Sequence, residues 1–369
     1  MLRRLTLGLF CLACVASAAA CSSSGTKALS SGGIPGIGPN FASNTLYAVN
    51  STQNAIELYT PAPSASAAPS YQISGPSTSL DGPQYATFDP NKHLYVTNYD
   101  AATGAASVEV FATFAQGNVL PIQVLSGNFT SFAQLRGIAV TPSGRLVVAN
   151  VNPAQGPLAN ELLIYNSGAS GNGPGTEIAG PATLLNSPTG VASDKNNNVY
   201  VANRGNGTVT VYALPSPTPA PSASPTTAPT ANPSATPSAT PPPPAINQAP
   251  SQAIAGALTG LIAPTGLTVD GAGNIYVADP DNGTPSVFVF APGATGNVAP
   301  KARIFGPNTQ LVYPTDVKID SAGNIYVADA GSGSGSGKVL IFAPTANGNV
   351  APTSSVSVPG TLVGIALSP

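Results

Sequence analysis

Residues Pro264–Asp279 read PTGLTVDGAGNIYVAD, and Pro314–Asp329 return the same phrase as PTDVKIDSAGNIYVAD. Looser copies begin at Pro83 (PQYATFDPNKHLYVTN), Arg136 (RGIAVTPSGRLVVAN) and Pro188 (PTGVASDKNNNVYVAN). In each copy two short runs of β-branched and aromatic residues flank a turn, which is the pattern of a tight hairpin. A third run follows every copy, as in SVEVF from Ser107, TVTVY from Thr208 and VFVF from Val287, and a fourth follows that, as in KARIFG from Lys301. The repeating unit is therefore four short strands.

The second-strand position falls at Tyr47, Tyr95, Val147, Tyr200, Tyr276 and Tyr326, with gaps of 48, 52, 53, 76 and 50. Self-similarity at this period, with four strands per unit, predicts an all-β, six-bladed β-propeller of four-stranded blades. The strings P-x-G-(I/L/V)-x-x-D and G-N-(I/L)-Y-V-A-(D/N) resemble the NHL repeat, and the resemblance extends over nearly all of residues 44–369. Its first copy, NTLYAVN from Asn44, lacks an opening strand, and Gly364–Pro369 (GIALSP) matches Gly137–Pro142 (GIAVTP). The C-terminal strand is thus expected to complete the first blade by pairing with the N-terminal strands, which removes the exposed edges of an open array.

The charge inventory excludes several classes of function. Charged residues are 7% of the chain, the formal charge is −2, and long basic runs are absent, so a nucleic-acid partner is not expected. All three cysteines lie at or before Cys21, and His93 is the only histidine. Zinc sites want three or four His, Cys or carboxylate ligands, and no residue is assigned a catalytic role. His93 occupies the turn slot filled elsewhere by Arg145, Asn198, Asn274 and Asn324, which reads as an ordinary turn position.

The N-terminus has Arg3 and Arg4, an apolar run from Leu5 to Val15, and Ala18-Ala19-Ala20 before Cys21. This is the layout of an export signal over residues 1–20. Cys21 after the small residues resembles the lipidated cysteine of bacterial lipoproteins, with Ala18 departing from the favoured Leu. The resemblance implies lipid attachment at Cys21, a membrane anchor in the cell envelope and a flexible Ser/Gly/Pro tether over 21–43; secretion as a soluble protein is the alternative. Residues 214–250 form a Pro/Ala/Ser/Thr-rich tract expected to be a disordered insertion between the third and fourth strands of one blade.

Carboxylates end the first strand at Asp89, Asp194, Asp270 and Asp320, where Asx side chains cap backbone N–H groups. A second row ends the second strand at Asn50, Asn98, Asn150, Asn203, Asp279 and Asp329, and the same capping explanation applies. Beyond it the copies diverge, and Tyr99, Asp100, Asn152, Arg204, Asp281 and Asn282 are the candidate ligand-binding loop residues. Tyr85, Tyr99 and Tyr313 stand off the repeating tyrosine register and are further candidates for a binding surface. Asp279, Asp281 and Asp329 are the candidate ligands for calcium, a cation that prefers oxygen donors; no other cofactor is expected. The sequence thus predicts a monomeric, non-enzymatic propeller binding an envelope protein or small ligand. The alternative is an extracytoplasmic lyase or lactonase using carboxylate-bound calcium in the central funnel, which the resemblance to NHL-like and related six-bladed folds implies.

Overall fold

The computed structural model describes residues 43–60, 68–128, 130–214, 244–280, 283–333, 335 and 337–369. The expected signal, Cys21, nearly all of the tether, most of the Pro-rich tract, and Asp281 and Asn282 lie outside the described residues. Among the described residues, twenty-four strands form six four-stranded antiparallel sheets. The first blade holds β1 (Leu46–Asn50), β2 (Ala55–Tyr59) and β3 (Tyr71–Ser74), and the second β4 (Pro83–Phe88), β5 (Leu94–Tyr99), β6 (Ala106–Phe111) and β7 (Gln123–Ser126). The third holds β8 (Gln134–Val140), β9 (Leu146–Val151), β10 (Asn160–Tyr165) and β11 (Thr176–Ala179). The fourth runs β12 (Pro188–Ser193), β13 (Asn198–Asn203), β14 (Thr208–Ala213) and β15 (Gln252–Ile254), and the fifth β16 (Leu267–Val269), β17 (Ile275–Asp279), β18 (Ser286–Phe290) and β19 (Ala302–Phe305). The sixth is β20 (Pro314–Ile319), β21 (Ile325–Asp329), β22 (Gly337–Phe342) and β23 (Ser354–Val358). The last strand, β24 (Leu362–Leu367), pairs with β1 and supplies the inner strand the first blade lacks. The molecule is a closed six-bladed propeller.

The second strands are buried along almost their whole length because each serves two cores. In β1, Tyr47 and Val49 pack into the core shared with the second blade, while Leu46 and Ala48 pack into the core shared with the sixth. Successive side chains of a strand point to opposite faces, so a strand between two packed sheets must be apolar on both. That explains LYAVN and IYVAD as near-continuous apolar runs. The buried hydrophobics sort into six clusters, one at each blade interface. Burying one Val, Leu or Phe stabilises by about 1.5–3 kcal/mol, so each interface outweighs any single hydrogen bond described below.

Two further features hold the ring. At five interfaces the outer strand of one blade forms a parallel bridge with a loop of the next, pairing Ile73 with Gly117, Leu125 with Gly171, Ile178 with Ile246, Ile254 with Gly296, and Ile304 with Gly348. The repeated Gly-Asn string supplies these clasps, and the Asn side chain accepts the amide at the start of a short 3-10 turn, as Asn118 does from Ser77 (2.7 Å) and Asn297 from Leu258 (2.7 Å). Ile246 and Asn247, inside the tract as read from sequence, fill the same two places: Asn247 Oδ1 accepts from Ala182 N at 2.9 Å. The string AINQAP resembles a degenerate GNVAP, and its backbone belongs to the propeller. At the sixth interface Asn44 Nδ2 of the first blade donates to Ser321 Oγ of the sixth (3.1 Å), while Asn44 N to Ser368 O (2.8 Å) and Ser51 N to Thr361 O (3.1 Å) extend the β1–β24 pairing within the first blade.

Candidate functional site

Both rows of repeated polar residues prove to be local caps. Asp194 Oδ1 accepts from Asn196 N and Asn198 N at 2.9 Å each, and Oδ2 accepts from Asn198 Nδ2 at 2.8 Å. Asp270 and Asp320 repeat the arrangement. In the second blade His93 replaces the asparagine: its backbone N donates to Asp89 Oδ1 at 2.7 Å and its Nδ1 lies 2.9 Å from Asp89 Oδ2. The imidazole does the work of an amide.

The second row reaches the loop that leads into the inner strand. Asn150 Oδ1 accepts from Ala133 N (3.0 Å), Asn203 Oδ1 from Asn186 N (3.1 Å), Asp279 Oδ2 from Ile262 N (2.8 Å) and Asp329 Oδ2 from Val312 N (2.7 Å). An asparagine also carries donors that burial leaves in need of an acceptor. The third strand provides it: Asn50 Nδ2 donates to Glu57 at 2.9 Å, Asn98 to Glu109, Asn150 to Glu161, and Asn203 to Thr210 Oγ1 at 2.9 Å. Where the row carries aspartate, which has no donor, the strand register places Phe288 or Leu340 at the corresponding position. This pairing is visible between the copies in the sequence and was not anticipated. Burial raises Glu109 to about 8 and Glu161 to about 9, the latter helped by neighbouring Glu177.

Asp279 and Asp329 therefore do not fit a calcium site. Their oxygens already accept from Ile262, Ala263, Val312, Tyr313 and Gly331 amides of their own blades. Among the described residues no three His, Cys, Asp or Glu side chains gather closely enough to hold a metal ion. Asp100 and Asn152 also cap locally, through Ala102 N (2.8 Å) and Ala154 N (3.3 Å). Tyr99 ends β5 half-buried.

The repeat breaks at the axis. At the glycine of P-x-G the inner strands carry Gly364, Tyr85, Gly137, Gly190, Gly266 and Asp316, in blade order. The glycines permit close lateral contact: a Cβ on Gly190 would lie 2.5 Å from Thr265 O, and one on Gly137 2.2 Å from Thr189 O. Tyr85 and Asp316 flank Gly364 on either side, and neither follows the rule. One position earlier, Thr189 Oγ1 donates across the blade interface to Pro264 O (3.0 Å), and Thr265 Oγ1 to Pro314 O (3.0 Å). The third blade has Arg136 there, and Thr97, on the neighbouring strand β5, supplies the hydroxyl to Arg136 O at 3.0 Å.

Around these departures a polar cluster gathers. Arg204, from the loop after β13, donates Nη2–H to the Tyr313 hydroxyl at 2.8 Å. Tyr85 feels the charges of Asp316, Arg136 and Arg204 together. Residues of blades two, three, four and six can be mutual neighbours only at the axis. Burial and the Asp316 carboxylate push the Tyr85 phenol far above its ordinary range, so it stays protonated. Lys318 Nζ contacts both Asp316 oxygens, at 2.7 and 2.8 Å, and Asp316 Oδ2 also accepts from Ile365 N at 3.1 Å. Burial raises the Asp316 pKa against the opposing pull of Lys318.

A cavity of about 380 Å³ on the axis is lined by inner-strand residues of all six blades, among them Thr87, Val140, Ser193, Thr268, Ala366 and Lys318, which pairs with Asp316 of the cluster. A second groove of about 460 Å³ lies between blades four and five. Its carboxylates, Asp194 and Asp270, are the turn caps already described. Of the described loop residues singled out from sequence, Arg204 joins the axial cluster and Tyr99, Asp100 and Asn152 do not, while off-register Tyr85 and Tyr313 join it. Arg136, Asp316 and Lys318 were missed, although Asp316 stands where the repeat has glycine and Arg136 where three copies have threonine.

Residues 185–212 match the family model described as NHL repeat. A comparison with curated protein sequences finds no match. Among solved structures the chain is similar to a protein of unknown function from Bacteroides caccae, at TM-score 0.54 and 9% identity, covering 89% of this chain and 99% of that one. It is also similar to a luciferin-regenerating enzyme, at TM-score 0.49 and 13% identity over 79% of this chain and 81% of that one. At these identities the likeness is one of fold. The chain is a six-bladed β-propeller that carries an NHL repeat.

Proposed function

We propose that this chain is an envelope-anchored, non-enzymatic binding protein whose propeller takes a small ligand in its axial channel. The observation that carries the reading is the cluster of Tyr85, Arg136, Arg204, Tyr313 and Asp316, concentrated on the axis of an otherwise repetitive scaffold. Polar groups spent on capping repeat from blade to blade; these do not repeat. A concave, axial site with a few convergent polar groups is the usual form of a small-molecule site. The export signal and Cys21 support the location, and fold likeness contributes nothing to the choice of ligand.

Native mass spectrometry of the chain purified from envelope extract tests this. The wild-type protein is expected to retain a small molecule that Arg204→Ala/Tyr313→Phe releases at least tenfold more readily. Equal retention by both would overturn the channel as the site, and a bound metal ion with turnover of a lactone would restore the enzymatic alternative. For the anchor, Cys21→Ser is expected to move the protein from the membrane to the soluble fraction.

A further inference from the structure

Around Tyr85 the charges of Arg136, Arg204 and Asp316 come together. Lys318 is already committed to Asp316 through both oxygens. Arg204 is held by the Tyr313 hydroxyl. The Arg136 side chain is half-buried and has no hydrogen-bond or ion-pair partner among the described residues. A guanidinium carries five N–H donors in a planar fork, and removing one from bulk water without a partner is costly.

Two phenols complete the arrangement. The Tyr313 oxygen accepts from Arg204, which leaves its own proton to donate elsewhere. The Tyr85 hydroxyl lies 3.5 Å from Thr315 O, at the outer limit of a hydrogen bond, so its proton is only loosely engaged. Among the described residues the Arg136 guanidinium therefore has no acceptor, and the Tyr85 and Tyr313 phenols keep protons to donate.

Resting on the channel as the ligand site, we propose that the ligand is a small organic anion whose carboxylate is held by Arg136, with Tyr85 and Tyr313 as neutral donors beside it. A planar carboxylate matches a guanidinium in two parallel hydrogen bonds.

Isothermal titration of the intact chain with benzoate, benzamide and inorganic phosphate tests the proposal, with Arg136→Gln and Tyr313→Phe as variants. Benzoate is expected to bind saturably, benzamide at least tenfold more weakly, and Arg136→Gln to weaken benzoate at least tenfold while leaving the melting transition in place. Affinity should fall as salt rises. Benzamide binding as well as benzoate, phosphate binding tighter than benzoate, or indifference to Arg136→Gln would each overturn the carboxylate assignment. So would the absence of saturable heat from benzoate. If neutral benzamide is found in the channel by crystallography, the inference fails while the channel survives as the ligand site. If benzoate is found bound outside the channel, both fail.

Discussion

Arg204 in the fourth blade donates to the Tyr313 hydroxyl in the sixth at 2.8 Å, passing over the fifth blade that separates them in sequence. The two residues are 109 positions apart. A bond of this kind contributes little to folding, since one hydrogen bond to a charged donor nets about 1.5–3 kcal/mol at most, and here water competes for both partners. A double-mutant cycle with Arg204→Ala and Tyr313→Phe in urea is expected to give a coupling of about 1 kcal/mol or less. A coupling several times larger would make the pair a structural brace instead.

Removing residues 362–369 deletes β24, leaves the edge of β1 open and strips Leu362, Ile365 and Ala366 from two blade interfaces. Loss of the cooperative melting transition is expected. A variant that melts as sharply as the intact chain would show that closure is dispensable.

Gly190 is a contact glycine without an unusual backbone angle. A methyl group there would meet Thr265 O at 2.5 Å and Gly266 Cα at 2.8 Å, both backbone atoms that cannot swing away. Gly190→Ala should destabilise by about 1–3 kcal/mol, the range for overpacking, measured by urea titration. Gly271, with nothing within 4 Å of its added Cβ, is the control.

Glu109 sits between Asn98 and Ser107 with its pKa raised by burial to about 8. A folded-state value above the unfolded one means the native state holds the proton longer. Stability from this group is present below about pH 4.5 and declines as pH rises toward 8. The wild-type melting temperature should fall over that window, and Glu109→Gln should flatten the fall, matching wild type near pH 4 and exceeding it near pH 8. A pH profile unchanged by the substitution would remove Glu109 as the cause.

His93→Asn replaces the imidazole by the residue found in three other blades at the same turn. Stability should stay within about 0.5 kcal/mol of wild type, as for substitutions that preserve the local contact. A drop of several kcal/mol, or loss of ligand retention, would give His93 a role beyond its turn.

The repeat alone determined the architecture: number of blades, four strands in each, and closure by the last strand. Those follow from patterns of apolar residues and turn residues that recur along the chain, and recurrence is readable without coordinates. It also pointed to the two rows of Asp and Asn as caps, because a residue that recurs at the same turn from blade to blade serves the hairpin. The tertiary structure alone decided which departures from the repeat meet. Tyr85, Arg136, Arg204, Tyr313 and Asp316 are spread over more than two hundred residues, and a ring brings equivalent positions of distant blades to a common axis. It also decided that Asp279 and Asp329 are spent on backbone amides, because the direction of a carboxylate is set by the loop folded against it. The opening phrase PTGLTVDGAGNIYVAD is scaffold, and Asp316, where its second copy loses a glycine, marks the place where the scaffold departs from its own rule.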